Sequence, residues 1–120
     1  GGPMMGVAQY SLDVPVIKST NALLAFTSAE EKSAKDPQCI RCGRCVGVCP
    51  IRLTPLMLNL YAKKDMFPEL QKAGLKDCIE CGSCAYICPG RLPLVHTFRM
   101  AKQKLGDYEK AELARKEAAQ

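Results

Sequence analysis

Hydrophobic and polar positions change period along the chain. Residues 11–18 set Leu12, Val14 and Val16 against Asp13 and Pro15, an alternation that predicts an extended strand. Pro15 has no N–H to give a ladder and argues for an edge position. Ser19-Thr20-Asn21 reads as a turn, and the apolar run 22–27 as a second strand. Two strands are marginal alone. They predict a hairpin or, better, part of a sheet completed by upstream sequence. Residues 28–37 are polar and charged, a linker or short helix. From residue 54 the period becomes helical. Thr54 and Pro55 make an N-cap and first turn, and Leu56, Met57, Leu60, Tyr61 and Lys64 follow at helical spacing. A second short helix lies within 65–74, entered at Pro68 and closed by Gly74. Pro93 opens another, with Leu94, Val95, Phe98, Ala101 and Leu105 on one face and Gly106 as its terminator. Residues 107–120 form a further helix of low apolar content with a Glu112–Lys116 pair, a solvated tail or a linker.

Between these segments lies a stretch that occurs twice, 39 residues apart. The copies are Cys39-Ile40-Arg41-Cys42-Gly43-Arg44-Cys45-Val46-Gly47-Val48-Cys49-Pro50-Ile51-Arg52-Leu53 and Cys78-Ile79-Glu80-Cys81-Gly82-Ser83-Cys84-Ala85-Tyr86-Ile87-Cys88-Pro89-Gly90-Arg91-Leu92. They hold all eight cysteines. Each has the C-x2-C-x2-C-x3-C-P spacing that grips a [4Fe–4S] cubane. A cubane needs one thiolate per iron. Three closely spaced cysteines can curl around three corners, while the fourth, a helical turn later, points elsewhere. In two-cluster ferredoxins it ligates the other cluster. The spacing therefore assigns Cys39, Cys42, Cys45 and Cys88 to cluster I, and Cys78, Cys81, Cys84 and Cys49 to cluster II. Gly43 and Gly82 sit where the backbone must bend closely, Pro50 and Pro89 end the short helices, and Ile40, Val46, Val48, Ile79 and Ile87 are candidates to shield the clusters.

Other uses of eight cysteines fit less well. Zinc ribbons use paired C-x2-C knuckles, which leaves the tight triplet and the two Cys-Pro steps unexplained. A disulfide framework would bridge poorly within one turn-sized loop, and no secretory signal is present. Thiolate use as metal ligands implies a reducing, cytoplasmic compartment. The formal charge of +5 treats the cysteines as neutral. Eight thiolates and two cores of about +2 bring the loaded domain to about +1, so the basic balance says little about nucleic acid. A zinc-held nucleic-acid module would also want stacking aromatics and a recognition helix, and neither is evident. No apolar run reaches membrane-span length. His96, the one histidine, reads as an ordinary surface or satisfied core residue, and Met4 and Met5 as gap-fillers.

The chain resembles the C subunit of the Rnf-type ion-translocating ferredoxin:NAD oxidoreductase complex. The resemblance runs from residue 1 to about 105. It is carried by Gly2-Pro3-Met4-Met5-Gly6, Ser11-Leu12-Asp13-Val14-Pro15-Val16, Thr54-Pro55-Leu56-Met57-Leu58-Asn59-Leu60-Tyr61 and both cysteine motifs. It implies a mainly α fold. An α-helical two-[4Fe–4S] ferredoxin domain (38–106) would follow a two-strand β segment of an upstream domain and a linker (1–37), and precede a helical tail (107–120). It also implies FMN and NADH sites upstream of this chain. The setting would be the cytoplasmic face of the inner membrane, with membrane contact only through partner subunits. Single electrons would pass between the flavin and redox partners there. No catalytic acid, base or nucleophile is needed in this stretch. An iron–sulfur subunit of a soluble flavoprotein is the competing assignment, which the flanking stretches disfavour.

The two loops differ in charge. Arg41, Arg44 and Arg91 surround cluster I, whereas Glu80 and Asp77, offset partly by Arg52, lie near cluster II. A unit charge at about 10 Å and an effective dielectric of about 20 is worth roughly 1.7 kcal/mol. On loop charge alone, cluster I has the higher potential.

Overall fold

A computed structural model describes residues 2, 5–6, 9, 11–18, 20, 22–30 and 36–118. The expectations placed on Met4, on Ser19 and Asn21 of the turn, and on 31–35 of the linker fall outside them.

Helices dominate the described residues. In chain order they are α1 (Arg44–Gly47), α2 (Pro55–Lys63), α3 (Phe67–Lys72), a 3-10 turn (Leu75–Asp77), α4 (Ser83–Ile87) and α5 (Leu94–Ala118). No described residue lies in a strand. Segments 11–18 and 22–27 form no ladder, and Leu12, Val14, Val16, Leu23, Leu24 and Phe26 are exposed. The alternation is present but the described residues offer no third strand or helix to cover its apolar side.

The repeat in sequence is a repeat in backbone. Loop, α1, turn and α2 recur 39 positions later as loop, α4, turn and the start of α5. Gly43 (φ 75°) and Gly82 (φ 82°) both adopt the left-handed conformation. So do Arg41 (φ 55°) and Glu80 (φ 56°), and Arg52 (φ 56°) and Arg91 (φ 50°). A non-glycine residue there costs roughly 1–2 kcal/mol. Paired recurrence marks these as features the loops require, not accidents.

The core is small and lies where α2 and α5 meet. Leu58 of α2, Leu70 of α3, Leu75 of the 3-10 turn and Leu92 are buried with Leu94, Val95, Phe98, Ala101 and Leu105 of α5. The α5 set is the face predicted from spacing. Within 65–74, α3 carries Pro68 in its first turn, and Gly74 (φ 72°) closes the segment in the left-handed conformation.

Gly106 does not end its helix. α5 runs through it as one element of 25 residues. A glycine terminates a helix when the chain gains by turning away. Here the next turns are held by partners: the Tyr108 ring stacks on Phe67 with centroids 4.9 Å apart, and Gln71 Nε2 donates to Glu109 Oε1 at 2.8 Å. Lys76 pairs with the same carboxylate, so the two helices expected on either side of Gly106 are one.

Candidate metal centre

Two cavities flank the α2–α5 core, and four cysteines line each. Cys39, Cys42 and Cys45 of the first copy share one with Cys88 of the second; Cys78, Cys81 and Cys84 share the other with Cys49. The volumes are about 380 and 400 Å³, open mouths included. Most of the wall corresponds position by position across the repeat: Leu92 and Leu94 in the first cavity match Leu53 and Pro55 in the second. The second has an additional apolar floor of Leu58 and Phe98.

Local structure explains how each copy lends its last cysteine away. After Cys49 the Arg52 N–H closes a turn on the Cys49 carbonyl at 3.1 Å, and Arg91 does the same to Cys88 at 3.1 Å. The left-handed residue then reverses the chain, so that Leu53 N–H donates to Cys49 Sγ at 3.3 Å. Thr54 occupies the N-cap of α2, but its hydroxyl makes no capping bond. The Leu56 backbone at that helix end, among its orphan donors, acts to lower the Cys45 pKa against the effect of burial. In the second copy the Glu80 backbone acts on Cys78 in the same lowering direction.

Gly90 also builds the first cavity. A Cβ at this position would lie 2.1 Å from the Gln38 carbonyl oxygen, so only glycine lets the chain entering at Cys39 pass over the turn after Cys88. The first copy has Ile51 at the matching position, a difference that marks the spot in the sequence.

The thiols are chemically unequal. Cys39 and Cys42 are exposed, while Cys45, Cys88 and the four cysteines of the second cavity are half-buried. Burial pushes Cys84 up to about 11, with the Cys78 sulfur adding to the effect. Burial also raises Cys45 and Cys78. Cys81 is lowered, chiefly by the Ser83 hydroxyl 3.5 Å from its sulfur. Sulfurs held against apolar walls resist ionisation. Thiolate there needs positive charge from a bound metal, which deprotonates its ligands outright.

These residues fit a cubane better than single ions. Among the described residues no three His, Cys, Asp or Glu side chains draw together tightly enough to hold one metal ion. In each cavity the cysteines instead border a space walled by apolar side chains, and a cubane spreads its four thiolates over separate iron corners. All eight cysteines are unbridged.

Several expected shielding residues lie elsewhere. Val46, Val48 and Ile87 are not among the lining residues, and Ile40 and Ile79, which are, remain 65% and 57% exposed. Leucines from the following helix and turn supply much of the wall because the chain folds back after each Cys-Pro step. Loop charge alone also misreads the second cavity. Glu80 meets Arg99 and Lys102, which reach it from α5 at 2.6 and 2.9 Å and hold its carboxyl below the usual range. The i, i+3 spacing of these cations could have been noticed, but not that α5 would lie across the second motif. His96 is exposed and lines neither cavity.

A helical scaffold that repeats itself around two four-cysteine cavities defines a dicluster iron–sulfur domain, and residues 31–89 match the family model described as a 4Fe-4S dicluster domain. The chain belongs with the C subunits of ion-translocating oxidoreductase complexes and matches one part of those longer proteins. It is 54% identical over 107 residues to the C subunit of the ion-translocating oxidoreductase complex of Rhodobacter capsulatus, covering 89% of this chain and 21% of that protein. Against the C subunit of the Na(+)-translocating ferredoxin:NAD(+) oxidoreductase complex of Acetobacterium woodii it is 49% identical over 105 residues, covering 88% and 24%. The corresponding C subunit of the Pseudomonas aeruginosa ion-translocating oxidoreductase complex is 49% identical over 106 residues, covering 88% and 14%. The chain thus spans under a quarter of the length of these relatives.

Proposed function

We propose that the chain is an electron relay, with Cys39, Cys42, Cys45 and Cys88 holding one [4Fe–4S] cluster and Cys49, Cys78, Cys81 and Cys84 the other. One observation carries this reading: each cavity is lined by three cysteines of one copy and the last cysteine of the other. When bound, such a cluster exchanges one electron at a time with little change in its cage. The protein supplies the rest. Leu53, Leu58, Phe98, Leu92 and Leu94 exclude water, the Leu53 N–H bonds the Cys49 sulfur, and the Leu56 and Glu80 backbones favour the charged forms of Cys45 and Cys78.

Within a complex like those named for the relatives, the relay joins a flavin and NADH site to redox partner subunits that move Na⁺ or H⁺. No residue of this chain is assigned to FMN or NADH. No helix among the described residues is long and apolar enough to cross a membrane. Attachment, on the cytoplasmic face, is through the partner subunits.

The test is metal analysis of protein prepared without oxygen, with about eight iron and eight sulfide expected per chain. Replacing Cys39, Cys42, Cys45 and Cys88 together by serine leaves about four iron. Replacing Cys39, Cys42, Cys45 and Cys49 leaves no stable cubane. Equal iron retention in the two variants would sink the crossed pairing, and stoichiometric zinc would sink the relay.

A further inference from the structure

The repeat places like residues around both cavities, but α5 breaks that likeness at one point. Glu80 in the second loop corresponds to Arg41 in the first. Arg99 Nε donates to Glu80 Oε2 at 2.6 Å, and Lys102 Nζ donates to Oε1 at 2.9 Å and to the Cys78 carbonyl at 2.6 Å. The side chains are largely covered, with Glu80 23% and Lys102 25% exposed. One cation would neutralise Glu80. A second, three-quarters covered, has a desolvation cost that a single carboxylate shared with Arg99 does not readily offset. The remaining attraction comes from the Cys78 carbonyl, which accepts from Lys102 Nζ at 2.6 Å, and from there Lys102 lies close enough to act on the Cys78 thiol by charge. Arg99 and Lys102 against Glu80 leave a surplus of one positive charge beside the second cavity.

We infer that Lys102, clamped by Glu80, is a positioning residue that raises the reduction potential of the centre held by Cys49, Cys78, Cys81 and Cys84. The inference rests on the relay proposed above. Four thiolates around a core of about +2 carry about −2, and one added electron, taken from a redox mediator without proton uptake or bond cleavage, makes this about −3. A fixed cation favours the more negative state. Glu80 holds the ammonium in place and removes part of its field. Among the described residues the first cavity has no counterpart of this clamp, because Arg41 occupies the place of the carboxylate.

A mediated redox titration of the intact chain, followed by electron paramagnetic resonance, tests this. Lys102→Gln is expected to lower one midpoint and leave the other in place. Lys102→Arg, which keeps the charge, should restore it, and Glu80→Gln should raise the same midpoint. If Lys102→Gln fails to load, Arg99→Gln should lower that midpoint by a smaller amount. Unmoved midpoints, equal movement of both, or a Lys102→Arg variant that behaves like Lys102→Gln would overturn the tuning role alone. Failure of the unsubstituted chain to bind iron and sulfide would overturn the relay with it.

Discussion

At the residue scale, the site depends on backbone freedom as much as on sulfur. Gly90 is the sharpest case, because a methyl there runs into the Gln38 carbonyl, one residue before Cys39. Gly90→Ala should destabilise the chain by about 1–3 kcal/mol. It should also empty the first cavity selectively, halving bound iron while the second centre keeps its spectrum; full iron retention would show that the crossing tolerates a side chain. The cysteines were legible because metal-ligand spacing is short-range information, written within a few residues of chain. Gly90, Arg99 and Lys102 were not, since their importance comes from segments that meet only after folding. Gly90 differs from Ile51 at the matching position, yet that difference says nothing of Gln38 until the chain has crossed over itself.

At the scale of elements, α5 shows where local rules end. Leu94, Val95, Phe98, Ala101 and Leu105 announced its buried face by spacing alone. Gly106 announced a stop that does not occur, because Phe67, Gln71 and Lys76 hold the following turns. A helix-interior glycine is a weak point. Its Cβ would meet no atom within 4 Å, so Gly106→Ala should stabilise the chain by about 0.5–1 kcal/mol in urea denaturation. A loss of stability would mean that the helix needs to flex there. The two expected strands illustrate the opposite failure. An alternating pattern states which side of a strand wants cover, but a ladder and a cover must come from elsewhere in the fold.

Taken whole, the molecule has few buried side chains among its described residues, grouped between α2, α3, the 3-10 turn and α5. The two cavities sit against that group, and Cys45, Cys78, Cys84 and Cys88 pack against it directly. Bound metal would then be part of the interior rather than an ornament on it, and its binding energy would count toward folding. Stripping iron by oxidation and chelation should lower the thermal midpoint by about 10 °C or more and reduce helical circular dichroism. An apo chain that melts where the loaded one does would place stability in the leucines alone.

The exchange of end cysteines between copies makes the halves interdependent in a way that severing the chain would expose. A break in the turn at Lys64 and Asp65, between α2 and α3, divides the cysteines equally, yet neither piece keeps the four that border either cavity. Each fragment would carry enough sulfur and the wrong arrangement of it. Only reassociation of the two pieces would rebuild both chambers, so under the proposed pairing redox competence would belong to the joined pair and could not be inherited by one half.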